Sequence, residues 1–234
     1  MDRLSSGQTT CYSVEKLIDG GSNFDNSISD AVRTKLRLMR DIIEKEDPSS
    51  KIIDDATLQR FLYARELNVE KASEMFAKYR KWRQSFVPLG YIPETMICDE
   101  LMKNSAYMQG FDKRGRPIAV ILLGRHIPCR KTIENLKRHY VYIFDKMSAS
   151  SSRGQTKFTI IADFDGWTYK NVDIRGAIAV LEILQIVFVE DKHFKETLLN
   201  DIDESQLPEI YGGKLPIVKV QDCVVPNWPP VTST

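Results

Sequence analysis

The chain has 234 residues, of which 42% are hydrophobic, and its 33 Lys and Arg against 32 Asp and Glu give a net charge of +1. This balance excludes a broad electrostatic attraction to nucleic acid, which is therefore not an expected partner. The four cysteines show neither metal-ligand spacing nor a C-x-x-C pair, which predicts free thiols in a reducing cytosol. The longest apolar stretch, 177–189, is too short to cross a bilayer, which takes about 20 apolar residues.

The first part of the chain shows helical periodicity. A polar, Gly- and Ser-rich segment over 1–28 is expected to be a flexible tail. Apolar residues three and four positions apart then predict an amphipathic helix over 29–46, with Ser29 as its N-cap, and two further helices. Asn68 is the expected cap of the second of these. Residues 29–90 are thus predicted to form a helical N-terminal lobe.

The second part alternates strands with helices. A nearly continuous apolar run predicts that strand 118–124 is buried on both faces. The other predicted elements are helix 133–148, strand 158–164, helix 172–185, strand 186–189, helix 194–202 and a turn-rich close over 203–215. This alternation predicts a mostly parallel α/β sheet with flanking helices. We therefore expect an α/β lobe over 91–222 and a flexible tail over 223–234.

The chain contains no motif for catalysis, metal binding or a cofactor, so we expect neither an enzyme nor a bound cofactor. None of the three histidines has ligand spacing, and His139 and His193 are expected on helix surfaces. Asp163 and Asp165 follow a predicted strand, where catalytic carboxylates often lie. The F-D-G sequence around them favours an ordinary turn instead.

Two basic runs lie on predicted amphipathic helices, at 33–40 and 78–83. Each is compatible with a solvated helix face. Each is also compatible with contact to anionic headgroups, where one Lys or Arg contributes about 1 kcal/mol. The sequence leaves both interpretations open.

Three stretches resemble motifs of one known family. They are TLQRFLYARELNVEKASEMF at 57–76, DKRGRPIAV at 112–120 and DESQLPEIYGGKL at 203–215. In this order and spacing they resemble the CRAL-TRIO lipid-binding domains of the phosphatidylinositol-transfer type, over roughly residues 30–222. The resemblance implies a helical N-terminal lobe packed against an α/β lobe. The sheet of that lobe would be the floor of a hydrophobic pocket that holds one lipid beneath a gating helix.

One part of the family pattern is missing from this chain. In the family, the helix that corresponds to 172–185 is followed by a further strand and the gating helix, and only then by the strand that corresponds to 186–189. Here the two follow each other without a turn residue, although a helix-to-strand connection usually takes about 2–6 residues. The chain therefore looks shortened by one strand and the gating helix between Gln185 and Ile186.

The resemblance also implies site residues. The second Arg of the family's Arg-Phe-Leu-x-Ala-Arg motif, a contact for inositol phosphate, corresponds to Arg65, which is equally suited to a salt bridge that fixes the two lobes. The expected lining of the lipid pocket is Tyr107, Val120, Leu122, Phe158, Ile160 and Phe188. The same apolar strands are also compatible with plain core. Phe158 and Ile160 stand near the family's choline-site Ser/Thr pair, and their side chains donate no hydrogen bond, which argues against phosphatidylcholine.

The sequence therefore predicts binding and intermembrane transfer of a phosphatidylinositol-like phospholipid, impaired in this shortened chain. A pocket is needed because each exposed acyl CH₂ costs about 0.8 kcal/mol in water. The expected partners are the phospholipid and a transiently contacted membrane surface. We expect a cytoplasmic, peripherally membrane-associated monomer. The alternative is a protein-interaction or regulatory module that retains the fold without lipid.

Overall fold

The described part of the computed structural model comprises residues 30–126, 133–151, 158–171, 194–226 and 228–230. These residues fall into two compact units. One unit contains the described residues up to Gly90, and the other contains those from Tyr91 onward. The predicted tail 1–28, its neighbour Ser29, helix 172–185, strand 186–189 and His193 lie outside the described residues.

Three α-helices form the described part of the first unit: α1 (Asp30–Glu46), α2 (Asp55–Tyr63) and α3 (Val69–Phe86). Each buries one face, because its apolar residues recur three or four positions apart. The shared core consists of Leu36, Met39, Ile43, Leu58, Leu62, Val69, Ala72 and Phe76. All three helices pack against one another. The three predicted helices are confirmed.

Side-chain caps fix where two of these helices begin. The Asn68 side-chain oxygen accepts a hydrogen bond from the Lys71 backbone N–H at 2.9 Å, which confirms the predicted cap of α3. The Asp54 carboxylate caps α2 by accepting from the Thr57 backbone N–H at 2.7 Å. Both caps satisfy backbone donors that a helix start leaves without intrahelical partners.

The second unit is built on a sheet that has three strands within the described residues: β1 (Ala106–Phe111), β2 (Pro117–Leu122) and β3 (Thr159–Asp163). β1 and β2 pair antiparallel, whereas β2 and β3 pair parallel. The sheet is therefore mixed, and together with its helices it confirms the α/β fold class. The predicted strand 118–124 ends earlier than expected, because the chain enters a 3₁₀ turn at Leu123–Arg125.

Strand β1 is absent from the sequence-based prediction. Its segment AYMQGF contains Gly110, a weak strand former, and leads directly into a turn over 112–116. The Asp112 carboxylate closes this turn by accepting hydrogen bonds from the backbone N–H groups of Arg114 and Arg116, both at 2.9 Å. The turn holds β1 beside β2. The other edge of β1 bonds to the segment 218–220 through backbone hydrogen bonds of 3.0 and 3.1 Å.

Three α-helices accompany the sheet in the described part of this unit: α4 (Cys98–Met102), α5 (Ile133–Ser150) and α6 (Phe194–Asp201). α5 and α6 confirm two predicted helices. α4 was not predicted, because five residues are too few to show helical periodicity.

The strand register divides the sheet into two faces. Tyr107, Val120 and Ile161 are register partners, so they lie side by side on one face. That face is covered by α6 and the closing segment, and we call it the α6 face. Its cluster of buried residues is Tyr107, Ile118, Val120, Ile161, Leu198, Ile202, Leu207 and Tyr211.

The opposite face bears the alternate residues, among them Ala119 and Ile160, which are also register partners. Ile121 lies on this face as well, beside Leu136 and Ile143 of α5. Because α5 covers β2 from this side, we call it the α5 face.

Two contacts fix the closing segment 203–215: the close packing of Gly213 against the Leu207 backbone, and a hydrogen bond from the Tyr211 side chain. A Cβ atom on Gly213 would lie 2.1 Å from the Leu207 carbonyl oxygen, so the position accepts only glycine. The Tyr211 hydroxyl donates a hydrogen bond to the Asp163 carboxylate at 2.8 Å. The same carboxylate accepts from the Asp165 backbone N–H at 2.7 Å, which confirms the predicted turn after β3.

Candidate functional site

Three of the expected pocket residues lie on the α6 face. Tyr107 and Val120 belong to its buried cluster, and the half-buried Leu122 packs against that cluster. The Tyr107 hydroxyl accepts a hydrogen bond from the Arg125 guanidinium at 2.7 Å, and Arg125 also donates to the Asn104 carbonyl oxygen. Side chains of the protein itself therefore cover Tyr107 and Val120, which are 7% and 1% exposed.

Phe158 and Ile160 are associated with the α5 face instead. The Phe158 ring stacks on the Phe144 ring of α5, with centroids 5.5 Å apart and planes at 21°. Phe144 in turn stacks on Tyr140, one helical turn earlier, at 6.2 Å and 28°. We call these three stacked rings the aromatic row. All three are half-buried, so each presents part of its surface to solvent.

The expected pocket residues are thus divided between opposite faces of the sheet. The reason is the two-residue period of a strand, which places Val120 and Ala119 on opposite sides. Val120 pairs in register with Ile161, whereas Ala119 pairs with Ile160. A ligand on one face of the sheet therefore contacts one of these groups and not the other, except at the end of β2, where Leu122 packs against the α6-face cluster and also lines a recess beside Tyr140.

The two remaining expected residues are not part of either group. Arg65 is exposed in the helical unit, and its guanidinium donates to the carbonyl oxygen of Ala64 at 2.9 Å. Phe188 lies outside the described residues.

A recess adjoins the aromatic row at Tyr140. It is lined by Glu100, Ser105, Ile121, Leu122, Leu123, His126, Leu136, His139, Tyr140 and Ile143. Most of these side chains are apolar, and a few polar groups stand among them. The recess has a volume of about 10 Å³, which is the space of one water molecule. Because Tyr140 belongs to both features, the recess and the aromatic row form one continuous candidate site at the α5 face.

His139 in this recess has a position that differs from the one that the sequence predicts. It was expected on the helix surface but is only 4% exposed, and neither ring nitrogen has a hydrogen-bond partner in the described part of the chain. Burial, followed by the charges of Lys103 and His126, lowers the pKa of His139 to about 4. The imidazole is therefore neutral near pH 7. The missed signal is spacing, because His139 follows Leu136 by three positions and precedes Ile143 by four.

The recess also contains a buried carboxylate. Glu100 is 2% exposed, and both of its oxygens accept hydrogen bonds from the Lys103 ammonium at 2.8 Å. This pair neutralises the charge that Glu100 would otherwise bury. The polar end of the recess therefore offers an uncharged imidazole, a hydroxyl and a compensated ion pair.

Two buried polar networks elsewhere in the sheet unit hold the fold together. The Asp112 carboxylate accepts hydrogen bonds from the Arg116 guanidinium and from the Thr159 hydroxyl, the latter at 2.7 Å, and so links the β1–β2 turn to β3. On α5, the buried Lys146 ammonium donates to the carbonyl oxygens of Val220 and Gln221, and burial lowers its pKa. Neither network has a signal in the sequence, because each joins residues far apart in the chain.

Among the described residues, no group of three or more His, Cys, Asp and Glu side chains is placed to hold a metal ion. Within the same residues, no helix combines the length and the apolar character needed to cross a membrane.

Several known proteins are similar in sequence to this chain. The family model described as CRAL/TRIO domain matches residues 101–191, which include the sheet, α5 and most of the recess. A phosphatidylinositol/phosphatidylcholine transfer protein of Arabidopsis thaliana is 27% identical over 70% of this chain and 28% of its own length. The Sec14 cytosolic factor of Schizosaccharomyces pombe is 34% identical over 41% of this chain and 36% of its own length.

A third relative carries a different printed ligand. It is the human alpha-tocopherol transfer protein-like, which is 26% identical over 65% of this chain and 45% of its own length. The chain therefore spans less than half the length of each of these three curated relatives.

Proposed function

The chain belongs to the CRAL-TRIO family, and on that premise we propose that it binds a phospholipid at the α5 face of its sheet and carries it between membranes. The observation that carries this proposal is the aromatic row beside the recess. Stacked rings that keep part of their surface exposed are suited to hold an acyl chain. The names of two relatives, which specify transfer of phosphatidylinositol, phosphatidylcholine or tocopherol, support a lipid as the ligand.

The energetic argument concerns the acyl chains. Each CH₂ removed from water is stabilised by about 0.8 kcal/mol, so an acyl chain of ordinary length supplies more than 10 kcal/mol when it is fully covered. The aromatic row offers half-exposed apolar surface for such a chain, and Ile160, which is only 5% exposed, lies on the same face of the sheet. The α6 face is already filled by side chains. We therefore narrow the proposed acyl-chain site to Tyr140, Phe144, Phe158 and Ile160.

We propose that the headgroup of the bound lipid is of the phosphatidylinositol type. Phe158 and Ile160 supply no side-chain hydrogen bond for a choline phosphate. Arg65, in the helical unit, is a separate prediction for contact with inositol phosphate, and it rests on the resemblance of its motif to the family alone. Ser105 and the buried His139 are neutral hydrogen-bonding groups in the recess beside Tyr140, at the edge of the proposed acyl-chain site. A headgroup rich in hydroxyls matches such neutral groups, because each hydroxyl both donates and accepts.

We further propose that retention of the lipid is impaired in this shortened chain. The gating helix of the family has no counterpart between Gln185 and Ile186, so a bound acyl chain would keep part of its surface in water. The protein would act as a cytoplasmic monomer that contacts membranes transiently and catalyses no reaction.

Native mass spectrometry after expression in a eukaryotic host tests this function. The expected result is a compact ion series with an added mass of a phospholipid, which increases when the corresponding segment of a relative is inserted between Gln185 and Ile186. The matched variants are Phe144→Ser, in the aromatic row, and Phe111→Ser, which is exposed on β1. Phe144→Ser should lose most of the bound lipid, whereas Phe111→Ser should keep it. A compact chain without lipid in every form, including the one with the insertion, would reject lipid transfer and favour the protein-interaction module.

A further inference from the structure

Helix α3 carries an exposed aromatic surface in its last three turns. Tyr79 and Trp82 are 36% and 43% exposed, and Leu89, just beyond the helix, is 51% exposed. The Trp82 ring stacks on Phe86 at 5.2 Å and lies 6.1 Å from the Tyr79 ring. We call Tyr79, Trp82, Phe86 and Leu89 the α3 ridge.

The inner side of the α3 ridge packs against the core of the helical unit. The Tyr79 ring lies 5.2 Å from the Phe61 ring and 6.4 Å from the buried Phe76 ring, so it rests on the core of the helical unit. Its inner side is therefore fixed, while Trp82 and Leu89 extend apolar surface into solvent. A rigid surface of this kind loses little conformational freedom when something covers it.

The segment that carries the ridge is basic. Residues 75–89 contain Lys78, Arg80, Lys81 and Arg83 and no Asp or Glu. Arg80 forms an ion pair with Asp47 at 3.4 Å and donates to the Ser49 hydroxyl at 3.0 Å, and Arg83 donates to the Gly90 carbonyl oxygen at 3.0 Å. Lys78 and Lys81 are exposed on the solvent side of the helix, and Lys78 forms an exposed ion pair with Glu74.

The other basic run, at 33–40 on α1, has a different setting. Arg40 bonds to Asp55 and Glu44, and Arg33 pairs with Asp30 at 3.5 Å. The run carries one exposed large apolar residue, Leu38, and no aromatic side chain. Arg33 and Arg40 are thus paired with acids, as Lys78 and Arg80 are on α3. The difference between the two basic runs is therefore the aromatic ridge, which the α1 run lacks.

We propose that the α3 ridge and its flanking Lys78 and Lys81 form the surface on which the protein docks to an anionic membrane. This inference rests on the proposed transient membrane contact and names the residues that make it. Trp and Tyr favour the headgroup level of a bilayer, because one end of the ring system is apolar and the other carries a polar group. Lysine side chains beside them reach anionic phosphates while their CH₂ stems stay on apolar surface.

Flotation of the full chain with lipid vesicles tests the proposal. The vesicles contain either phosphatidylcholine alone or phosphatidylcholine mixed with phosphatidylserine. The ridge variant Trp82→Ser/Leu89→Ser should lower binding to the anionic vesicles about tenfold or more, because two apolar side chains no longer enter the interface. The control Leu38→Ser/Ile52→Ser removes two exposed apolar residues from the same helical unit and should bind as the unchanged chain does.

The charge contribution has its own pair of variants. Lys81→Glu should weaken binding to the anionic vesicles about fivefold for each unit of charge, with no change toward phosphatidylcholine alone. Lys51→Glu, at another exposed lysine of the unit, should leave binding unchanged.

Two outcomes would overturn the assignment. One is an unchanged chain that does not float with anionic vesicles. The other is a ridge variant that floats as well as its control, with the fold of both checked by thermal melting. Because Phe144→Ser acts in the other unit, it should keep vesicle binding while it loses bound lipid. Failure of the lipid-transfer proposal and failure of the ridge proposal are therefore distinguishable.

Discussion

The two faces of the sheet are made of similar apolar residues but differ in what covers them. On the α6 face, Ile161 and Val120 are at most 1% exposed and touch a closed set of side chains from α6 and the closing segment. On the α5 face, the apolar surface continues into a recess and into an aromatic row that is only half-buried. An apolar strand pattern therefore indicates that a residue is buried. It does not indicate whether protein side chains or a bound ligand cover that residue.

The largest expected effect is on the α6 face. Ile161→Ala should lower the free energy of unfolding by about 2–5 kcal/mol, because it leaves a cavity in a filled cluster. Urea titration measures the change. Ile52→Ala, at a side chain that is 86% exposed, is the control and should change stability little. A small loss for Ile161→Ala would show that this face is not closely packed.

The next effect concerns pH and the buried His139 of the α5 face. The folded protein holds the pKa of His139 at about 4, against an ordinary value of 6.5. The unfolded chain therefore binds the proton more readily than the folded protein does. The free energy of unfolding is highest above pH 6.5 and decreases as the pH falls toward 4. The difference corresponds to about 3 kcal/mol.

Unfolding titrations at a series of pH values test this. His139→Leu should remove most of the acid-dependent loss, because its apolar side chain has no proton to bind. His126→Gln, at the half-buried histidine of the same recess, should retain most of it. An unchanged pH profile in His139→Leu would assign the acid sensitivity to other groups.

A smaller effect is expected where the closing segment is anchored to β3. Tyr211→Phe removes the hydroxyl that donates to the buried Asp163 carboxylate, and the loss should be about 1–3 kcal/mol. Tyr79→Phe, at a tyrosine that is 36% exposed, is the control and should have little effect. Equal stability of the two variants would mean that the Tyr211 bond contributes nothing measurable.

The smallest effect on stability is expected in the aromatic row. Phe144→Ser should cost less than Ile161→Ala, about 1–2 kcal/mol, because the ring is only partly removed from water. The same urea titration gives the value. A cost as large as that of Ile161→Ala would place Phe144 in the closed core and remove the contrast between the two faces.

Much of the fold was predictable from the sequence, because its signals are local. The helical periodicity and the Asn68 cap predicted the helices of the first unit, and the continuous apolar runs predicted β2 and β3. β1 was missed because it contains Gly110 and is held in place by the turn at Asp112 and by the segment 218–220, which is remote in sequence.

The candidate site was less predictable than the fold. Phe158 and Ile160 were expected in a pocket, but nothing in the strand pattern separates them from Tyr107 and Val120, because both faces of a buried sheet are apolar. The stacking of Phe158 on Phe144 joins a strand to a helix and has no local signal. His139 was misplaced because a polar residue on an amphipathic helix is assigned to the surface by default.

Photocrosslinking tests the central contrast most directly. The full chain is incubated with a phosphatidylinositol that carries a photoreactive group on one acyl chain, and the modified residues are mapped by mass spectrometry. We predict crosslinks to the aromatic row, at Tyr140, Phe144 or Phe158, and none to Tyr107 or Val120 of the α6 face. Crosslinks concentrated at Tyr107 and Val120, with the aromatic row unmodified, would contradict the assignment of the lipid to the α5 face.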